Sequence, residues 1–233
     1  MIFFMMQWVK EFFKNDSMID HQHHLPYQVV IFDVDGTLVD SFPLFIGLLN
    51  RHATKYQYAE LNAERIEYFR SFPPRTIRRE LGLSRLSAIR LALDCKRTMQ
   101  QHSQQPVVFD GMDQLLQQLK QAGICLAVVT SNSLENCHAS LGQQRLALFD
   151  WIMPNASIYG KQRQIRKILR HTHCSAQRAI YIGDQISDIH SAQALGMPVA
   201  AVTWGFNHAH ALAEAKPTYL CQTVDELTAC LLP

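Results

Sequence analysis

Three short runs of apolar residues alternate along the chain with stretches in which apolar positions recur every three or four residues. The runs cover residues 29–32, 124–129 and 179–182, and each has the continuity of a strand buried on both faces. The recurrence of apolar positions every three or four residues predicts amphipathic helices, two of which end at Gly123 and Gly196. Strands and helices in alternation predict an α/β fold with a Rossmann-like parallel sheet.

One long region interrupts this alternation. Residues 41–105 contain no buried-strand run, and their periodicity predicts helices at 44–56, 61–69, 75–81 and 84–102. We therefore expect three parts: an N-terminal extension (1–25), a core (26–40 plus 106–233) and an inserted helical cap (41–105). The apolar start of the extension is not followed by a small-residue cleavage pattern, so we do not expect a signal peptide. We favour an arm that packs on the body, or translation from Met18, over a helix that lies on a membrane surface.

Composition narrows the class of protein. Of the 233 residues, 48% are hydrophobic and 18% are charged, which is typical of a globular protein with a buried core. The net charge of +2 gives no reason to expect a nucleic-acid partner, and no apolar run approaches the roughly 18 residues that a membrane span needs. The six cysteines are scattered and form no C-x-x-C pair, which favours a reducing compartment, the cytoplasm.

The charge is unevenly distributed between the expected parts. The cap has 11 Lys or Arg against 5 Asp or Glu, a balance of +6, and the remainder has 11 against 15, a balance of −4. A basic cap over an acidic core would attract a small anionic substrate. The alternative is that most of these arginines form an ordinary solvated surface.

Two aspartates follow the first apolar run. An aspartate carboxylate has a reference pKa of about 3.9, so Asp33 would be ionised at neutral pH and able to attack phosphorus, forming an aspartyl phosphate. Asp35 would give a proton to the departing oxygen and then take one from water, and Gly36 allows the sharp turn. The alternative is that these aspartates only form a turn and have no catalytic role. Each further motif described below makes that alternative less convincing.

A second pair of carboxylates follows the third run. Asp184 and Asp188 lie four residues apart at the start of a helix, which places them one turn apart on the same face. Alone they would be read as helix capping. Together with Asp33 they would repel a phosphate dianion, and Mg²⁺, a hard cation that binds carboxylates and phosphate oxygens, would remove this conflict. We therefore expect Mg²⁺ as the cofactor.

Two further segments have residues that suit a phosphate group. The hydroxyl of Thr130 and the backbone N–H groups after it, at Ser131 and Asn132, lie at the expected start of a helix, where phosphates commonly bind. Asn132 with Glu135 also predicts a capping box there. Lys161 begins another helix, where its positive charge is unfavourable with the helix dipole. This unfavourable position indicates that the lysine has another role, which is to offset phosphoryl and carboxylate charge.

These four pieces, in this order, resemble the haloacid dehalogenase-like hydrolase superfamily. The matching residues are D-x-D-G-T-L at 33–38, the strand-ending Thr130, the isolated Lys161, and G-D-x-x-x-D with Asp184 and Asp188. The resemblance covers residues 28–224, approximately, and is closest to the phosphoglycolate phosphatase-like branch, in which a helical cap lies between the first and second motifs.

The resemblance implies roles for these residues. Asp33 would be the nucleophile and Asp35 the general acid and base. Mg²⁺ would be held by Asp33, the backbone carbonyl of Asp35 and Asp184, with Asp188 supporting the metal site. Thr130 and Lys161 would hold the phosphoryl group, although many relatives have Pro after this lysine where the present chain has Gln162.

The cap supplies one further candidate. A proline-stiffened stretch at 71–75 ends in Arg75, which we expect to contact the part of the substrate that is not phosphate. The resulting prediction is a Mg²⁺-dependent phosphatase for a small, phosphoglycolate-like phosphorylated metabolite. The alternatives are a sugar phosphomutase, a dehalogenase, for which Asp35 would be unnecessary, and an inactive binding or regulatory protein on the same scaffold.

Overall fold

A computed structural model describes residues 25–101, 106–156 and 160–233, with the backbone alone at 99–101. The expected N-terminal extension lies almost wholly outside the described residues, as do residues 102–105 between cap and core. Among the described residues, no helix is long and apolar enough to cross a membrane.

The core is a six-stranded sheet within the described part of the chain, and all its pairings are parallel. In spatial order its strands are β5 (Trp151–Met153), β4 (Cys125–Val129), β1 (Val29–Phe32), β6 (Ala179–Gly183), β7 (Val199–Val202) and β8 (Tyr219–Cys221). The central strand β1 pairs on both sides, with Val29 opposite Cys125 of β4 and opposite Ala179 of β6. The α/β parallel fold predicted from the apolar runs is therefore confirmed.

Helices cover both faces of this sheet. They are α5 (Met112–Gln121), α6 (Leu134–Leu146), α7 (Lys161–His171), α8 (Ile186–Gln193), α9 (Ala209–Glu214) and α10 (Val224–Leu231). Alternate residues of β1 face opposite layers: Val30 and Phe32 pack in one apolar cluster with α5, α6 and α10, and Val29 and Ile31 pack in another with α7, α8 and α9. The apolar runs are continuous because both faces of the strand are buried.

The helical insertion follows the first strand, as the periodicity predicts. Its helices are α1 (Phe42–Tyr56), α2 (Ala63–Phe69), α3 (Pro74–Glu80) and α4 (Arg85–Gln101). They share an apolar cluster of their own, which includes Leu48, Phe69 and Leu91. The division of the chain at residues 40 and 106 stays a prediction.

A short antiparallel pair lies where the chain leaves and re-enters the core. Strand β2 (Val39–Asp40) pairs with β3 (Val107–Val108), with Val39 opposite Val108. The two crossings between core and cap are therefore held side by side.

Candidate active site

Three aspartates from two distant parts of the sequence meet at one edge of the sheet. Asp33 directly follows β1 and Asp184 directly follows β6, and these are neighbouring strands. Asp188 lies in the first turn of α8. One carboxylate oxygen from each of the three lies within 4.8 Å of the others, and the side chains are buried. The parallel strands account for the meeting, because their carboxyl ends lie at the same edge of the sheet.

Lys161, the first residue of α7, brings a positive charge into this cluster. Its Nζ donates to Asp33 Oδ2 and to Asp188 Oδ1, at 2.6 Å in each case. Burial opposes a charged ammonium, but Asp188 and Asp33 outweigh it and hold the pKa of Lys161 well above its usual value. The unfavourable helix-start lysine noticed in the sequence is thus stabilised by two carboxylates.

One lysine does not balance three carboxylates. Burial, followed by the charges of Asp188 and Asp33, raises the pKa of Asp184 well above its usual value. Burial also raises the pKa of Asp188 to about 6, although Lys161 acts in the opposite direction. Carboxylate oxygens are ligands that hard divalent cations prefer. The donor set and its surplus negative charge therefore fit a divalent metal ion.

Asp184 is held in one orientation by groups that sequence analysis missed. Its Oδ1 accepts a hydrogen bond from the Thr37 hydroxyl at 3.0 Å, and its Oδ2 accepts one from the Phe206 N–H at 2.7 Å. Gly36 and Gly205 pack so closely against it that a Cβ at either position would overlap the Asp184 side chain. Thr37 and Gly36 belong to the D-x-D-G-T-L motif, which was a usable signal, whereas a backbone N–H has no sequence signature.

Asp35 has a different environment from the three clustered aspartates. Its Oδ2 accepts a hydrogen bond from Asn132 Nδ2 at 2.6 Å. The orientation of that amide is fixed from behind, because Asn136 Nδ2 donates to Asn132 Oδ1 at 2.9 Å. Burial and the charge of Asp33 raise the pKa of Asp35 to about 6.

The segment after β4 differs in detail from its prediction. Helix α6 has Ser133 as its N-cap, with Ser133 Oγ accepting from Asn136 N at 3.3 Å, so the expected capping by Asn132 is wrong. The side chain of Asn132 faces Asp35 instead. Thr130 is buried, and its Oγ1 accepts a hydrogen bond from the Asn132 N–H at 3.1 Å, whereas Ser131 is exposed.

Comparison with known proteins assigns the chain to a family. The family model for haloacid dehalogenase-like hydrolases matches residues 30–202. The phosphoglycolate phosphatase of Synechococcus elongatus is 33% identical over 201 residues, which is 86% of this chain and 95% of that protein. The chain belongs to the haloacid dehalogenase-like hydrolases.

Other relatives agree with this assignment. The phosphoglycolate phosphatase of Pseudomonas fluorescens strain Pf-5 is 26% identical over 226 residues, covering 91% of this hydrolase and 82% of that protein. The crystal structure of a predicted phosphatase from Clostridium acetobutylicum superposes with a TM-score of 0.74 at 27% identity, covering 88% of this hydrolase and 98% of that chain. The present hydrolase is an enzyme of the phosphatase class, and members of its family generally use a divalent metal.

The cap of the hydrolase reaches the core close to Asp184. The rings of Phe42 and Phe45 lie 5.1 and 5.4 Å from that of Phe206, measured between centroids. Arg75, the predicted substrate contact, lies exposed in the first turn of α3, and its role stays a prediction.

Proposed function

We propose that this hydrolase is a Mg²⁺-dependent phosphatase that cleaves a small phosphomonoester through an aspartyl phosphate on Asp33. The observation that carries the proposal is the meeting of Asp33, Asp184 and Asp188 around Lys161, beside a fourth carboxyl group on Asp35. Phosphoryl transfer depends mainly on positioning and on charge neutralisation, and this cluster supplies groups for both.

Asp33 is the nucleophile in this proposal. Its Oδ1 accepts a hydrogen bond from the Val34 N–H at 2.9 Å and its Oδ2 accepts one from Lys161, so the carboxylate is fixed in orientation. A carboxylate oxygen forms a bond to phosphorus while the bond from phosphorus to the ester oxygen breaks. The product of this first step is the aspartyl phosphate and an alkoxide leaving group.

Asp35 is the general acid and the general base in this proposal. A raised pKa of about 6 allows part of the population to carry a proton near neutral pH, and that proton goes to the leaving oxygen. The resulting carboxylate then takes a proton from water, whose oxygen attacks phosphorus and releases Asp33 and inorganic phosphate. The hydrogen bond from Asn132 holds Asp35 in place through both steps.

The acidic cluster has the composition of a Mg²⁺ site. Asp33, Asp184 and Asp188 would hold the ion, with the backbone carbonyl of Asp35 as a further ligand. Bound Mg²⁺ would neutralise the carboxylates and the phosphate dianion that must approach them. Lys161 contributes to the same neutralisation and, with Thr130 and Ser131, holds the phosphoryl oxygens. Asn132, predicted to join them, has its side chain on Asp35 and its N–H on Thr130, so it positions those two residues instead.

The substrate we propose is a small phosphorylated metabolite resembling phosphoglycolate, cleaved in the cytoplasm. Support comes from the names of the relatives, above all the Synechococcus elongatus enzyme, whose length the chain covers almost completely. Arg75 on the cap would pair with the carboxylate of such a substrate, since a guanidinium binds carboxylates in a bidentate manner.

The test is release of inorganic phosphate from 2-phosphoglycolate and from a panel of sugar phosphates, with and without Mg²⁺. We expect Mg²⁺-dependent release that is fastest for 2-phosphoglycolate, and loss of at least about a thousandfold in kcat for Asp33→Asn, because the nucleophile is gone. Asn preserves the shape of Asp33, so a cooperative melting transition of the variant provides the folding control.

Different outcomes of this assay would overturn different parts of the proposal. Turnover by Asp33→Asn at the wild-type rate would show that Asp33 is not the nucleophile. Phosphate release that is unaffected by chelation of Mg²⁺ would show that the reaction does not need the metal. Conversion of a hexose phosphate to its isomer without free phosphate would favour a phosphomutase.

A further inference from the structure

A peptide group that the proposed chemistry does not use connects the cap to a side chain of the acidic cluster. This group connects Gly205 and Phe206, in the loop after β7. Its carbonyl oxygen, on Gly205, accepts a hydrogen bond from Arg70 Nη2 at 3.0 Å. Its N–H, on Phe206, donates to Asp184 Oδ2 at 2.7 Å. A single planar unit therefore links a cap arginine to a carboxylate of the cluster.

Arg70 is itself held firmly at the end of α2. Its Nε donates to the Phe206 carbonyl at 3.1 Å, and its guanidinium carbon lies 5.2 Å from the centroid of the Phe42 ring. Its backbone carbonyl accepts hydrogen bonds from His208 N at 3.0 Å and from Asn207 Nδ2 at 2.8 Å. The contact between the cap and this loop thus involves both the side chain and the main chain of Arg70.

Two physical effects carry the influence of Arg70 as far as Asp184. The peptide is rigid, so fixing its carbonyl also fixes the direction of its N–H. A cation at the carbonyl polarises the peptide, which strengthens the hydrogen bond that the N–H donates, and this effect is larger in a buried setting. Asp184 is fully buried, and its other oxygen is already held by Thr37.

We propose that Arg70 is a positioning residue that orients Asp184 for the metal ion by holding the Gly205–Phe206 peptide. The inference rests on the proposed Mg²⁺ site. It has a reciprocal consequence, because two coupled equilibria must affect each other equally. Docking of α2 on the loop strengthens metal binding, and metal binding stabilises the docked cap.

The test is Mg²⁺ affinity of the full-length protein, measured by calorimetric titration without substrate, in the wild type, Arg70→Met and Arg70→Lys. Loss of groups that orient metal ligands commonly weakens binding about 10- to 100-fold, and Arg70 acts one hydrogen bond further away. We therefore expect about three- to tenfold weaker binding for Arg70→Met, and partial recovery for Arg70→Lys, which keeps a charged donor.

Arg65 provides a matched control on the same helix. Its guanidinium lies 5.4 Å from the centroid of the Phe69 ring and donates to the Ala59 carbonyl at 3.2 Å, both within the cap. Arg65→Met removes the same charge without touching the loop. Removing a positive charge by itself favours cation binding, so weaker binding in Arg70→Met has the opposite sign to a purely electrostatic effect.

Hydrogen exchange tests the reciprocal consequence and does not depend on activity. Saturating Mg²⁺ should slow amide exchange in residues 66–72 of the wild type and have a smaller effect in Arg70→Met. Equal Mg²⁺ affinities in wild type and Arg70→Met, in protein that melts normally, would overturn the inference and leave the proposed function intact. A wild type that binds no Mg²⁺ would overturn both.

Discussion

At the scale of single residues, the charges of the acidic cluster are unbalanced. Three buried carboxylates share one lysine, and the pKa of Asp184 is raised well above its usual value by burial and by its two neighbours. Such a site stores unfavourable electrostatic energy that a divalent cation relieves. The cluster thus weakens the metal-free fold, and a divalent cation bound there would offset this cost.

The first prediction concerns the pH dependence of stability in the metal-free protein. The pKa of Asp188 rises from 3.8 to about 6, so the folded state binds a proton more tightly than the unfolded state does. The stabilisation that protonated Asp188 contributes is fully present below about pH 4 and is lost as the pH rises through about 6. A shift of about two pKa units corresponds to about 3 kcal/mol of folding free energy. We expect the melting temperature of chelated protein to fall by at least roughly 5 °C across this range.

Two controls accompany this measurement. Saturating Mg²⁺ should flatten the decline, because the ion replaces the protons. Asp184→Asn should make the decline shallower and raise the melting temperature at pH 7, because the raised pKa of Asp184 adds to the same decline. Asn can still accept from the Phe206 N–H and donate to the Thr37 hydroxyl without adding charge. A metal-free wild type whose melting temperature is constant or rises between pH 4 and 7 would contradict this account.

Residues differ in how far the sequence identifies them. Asp33 and Asp184 are recognisable because Asp33 directly follows one continuous apolar run and Asp184 follows another after Gly183, and parallel strands bring such positions together. The link between Asn132 and Asp35 is not recognisable, because it joins residues 97 positions apart and depends on how the amide is turned by Asn136. The sequence accordingly predicts helix capping and phosphate binding for Asn132, whereas Ser133 caps the helix and the Asn132 side chain faces Asp35.

At the scale of elements, the loop after β7 contacts both the core and the cap. It contacts the D-x-D-G turn through Gly205 and the Trp204 side chain, which donates to the Thr37 carbonyl at 3.2 Å, and it contacts cap helix α2 through Arg70. A loop in this position must approach other backbone closely, which a residue without a Cβ allows.

The second prediction compares two glycine substitutions. A Cβ on Gly205 would overlap the Gly36 carbonyl oxygen and Asp184, whereas a Cβ on Gly47, within α1, meets nothing within 4 Å. We expect Gly205→Ala to destabilise the protein by about 1–3 kcal/mol through overpacking, and to weaken Mg²⁺ binding as the loop shifts.

Gly47→Ala is the control for this comparison. It should stabilise the protein by up to about 1 kcal/mol, because alanine favours a helix interior. Urea denaturation with and without Mg²⁺ measures both effects. Equal stability and equal metal response of Gly205→Ala and wild type would show that the loop does not need the close approach.

Elements also differ in how well the sequence predicts them. The sequence predicts the buried strands β1, β4 and β6 within a few residues because they are continuous apolar runs, and the four cap helices because their apolar positions recur with the helical period. The strands β5 and β8 were missed, since three residues at a sheet edge have too little pattern to stand out. Strand β7, with the sequence Val-Ala-Ala-Val, was missed because alanines give a weak apolar signal.

At the scale of the whole molecule, charge is separated between the two parts. The balance of +6 for residues 41–105 faces one of −4 for the remainder. Such a separation produces a field that acts over distances longer than any single contact. An anionic substrate approaching the space between cap and core would be drawn towards the basic side.

The third prediction is that salt slows capture of the substrate more than it slows turnover. The Debye length falls from about 30 Å at 0.01 M ionic strength to about 10 Å at 0.1 M, so the long-range attraction is screened. We expect kcat/KM for the best phosphomonoester to fall severalfold over that range while kcat changes little. Steady-state kinetics at saturating Mg²⁺ measures both, and kcat/KM that is independent of salt would show that the cap charge is an ordinary solvated surface.

The central claim is that Asp33 receives the phosphoryl group, and rapid-quench peptide mapping tests it most directly. Protein mixed with Mg²⁺ and substrate is acid-quenched during turnover, digested and analysed by mass spectrometry. We predict one added phosphoryl group on the peptide that contains Asp33, absent from Asp33→Asn. Phosphate release by the wild type with the phosphoryl group found on a different residue would contradict the account.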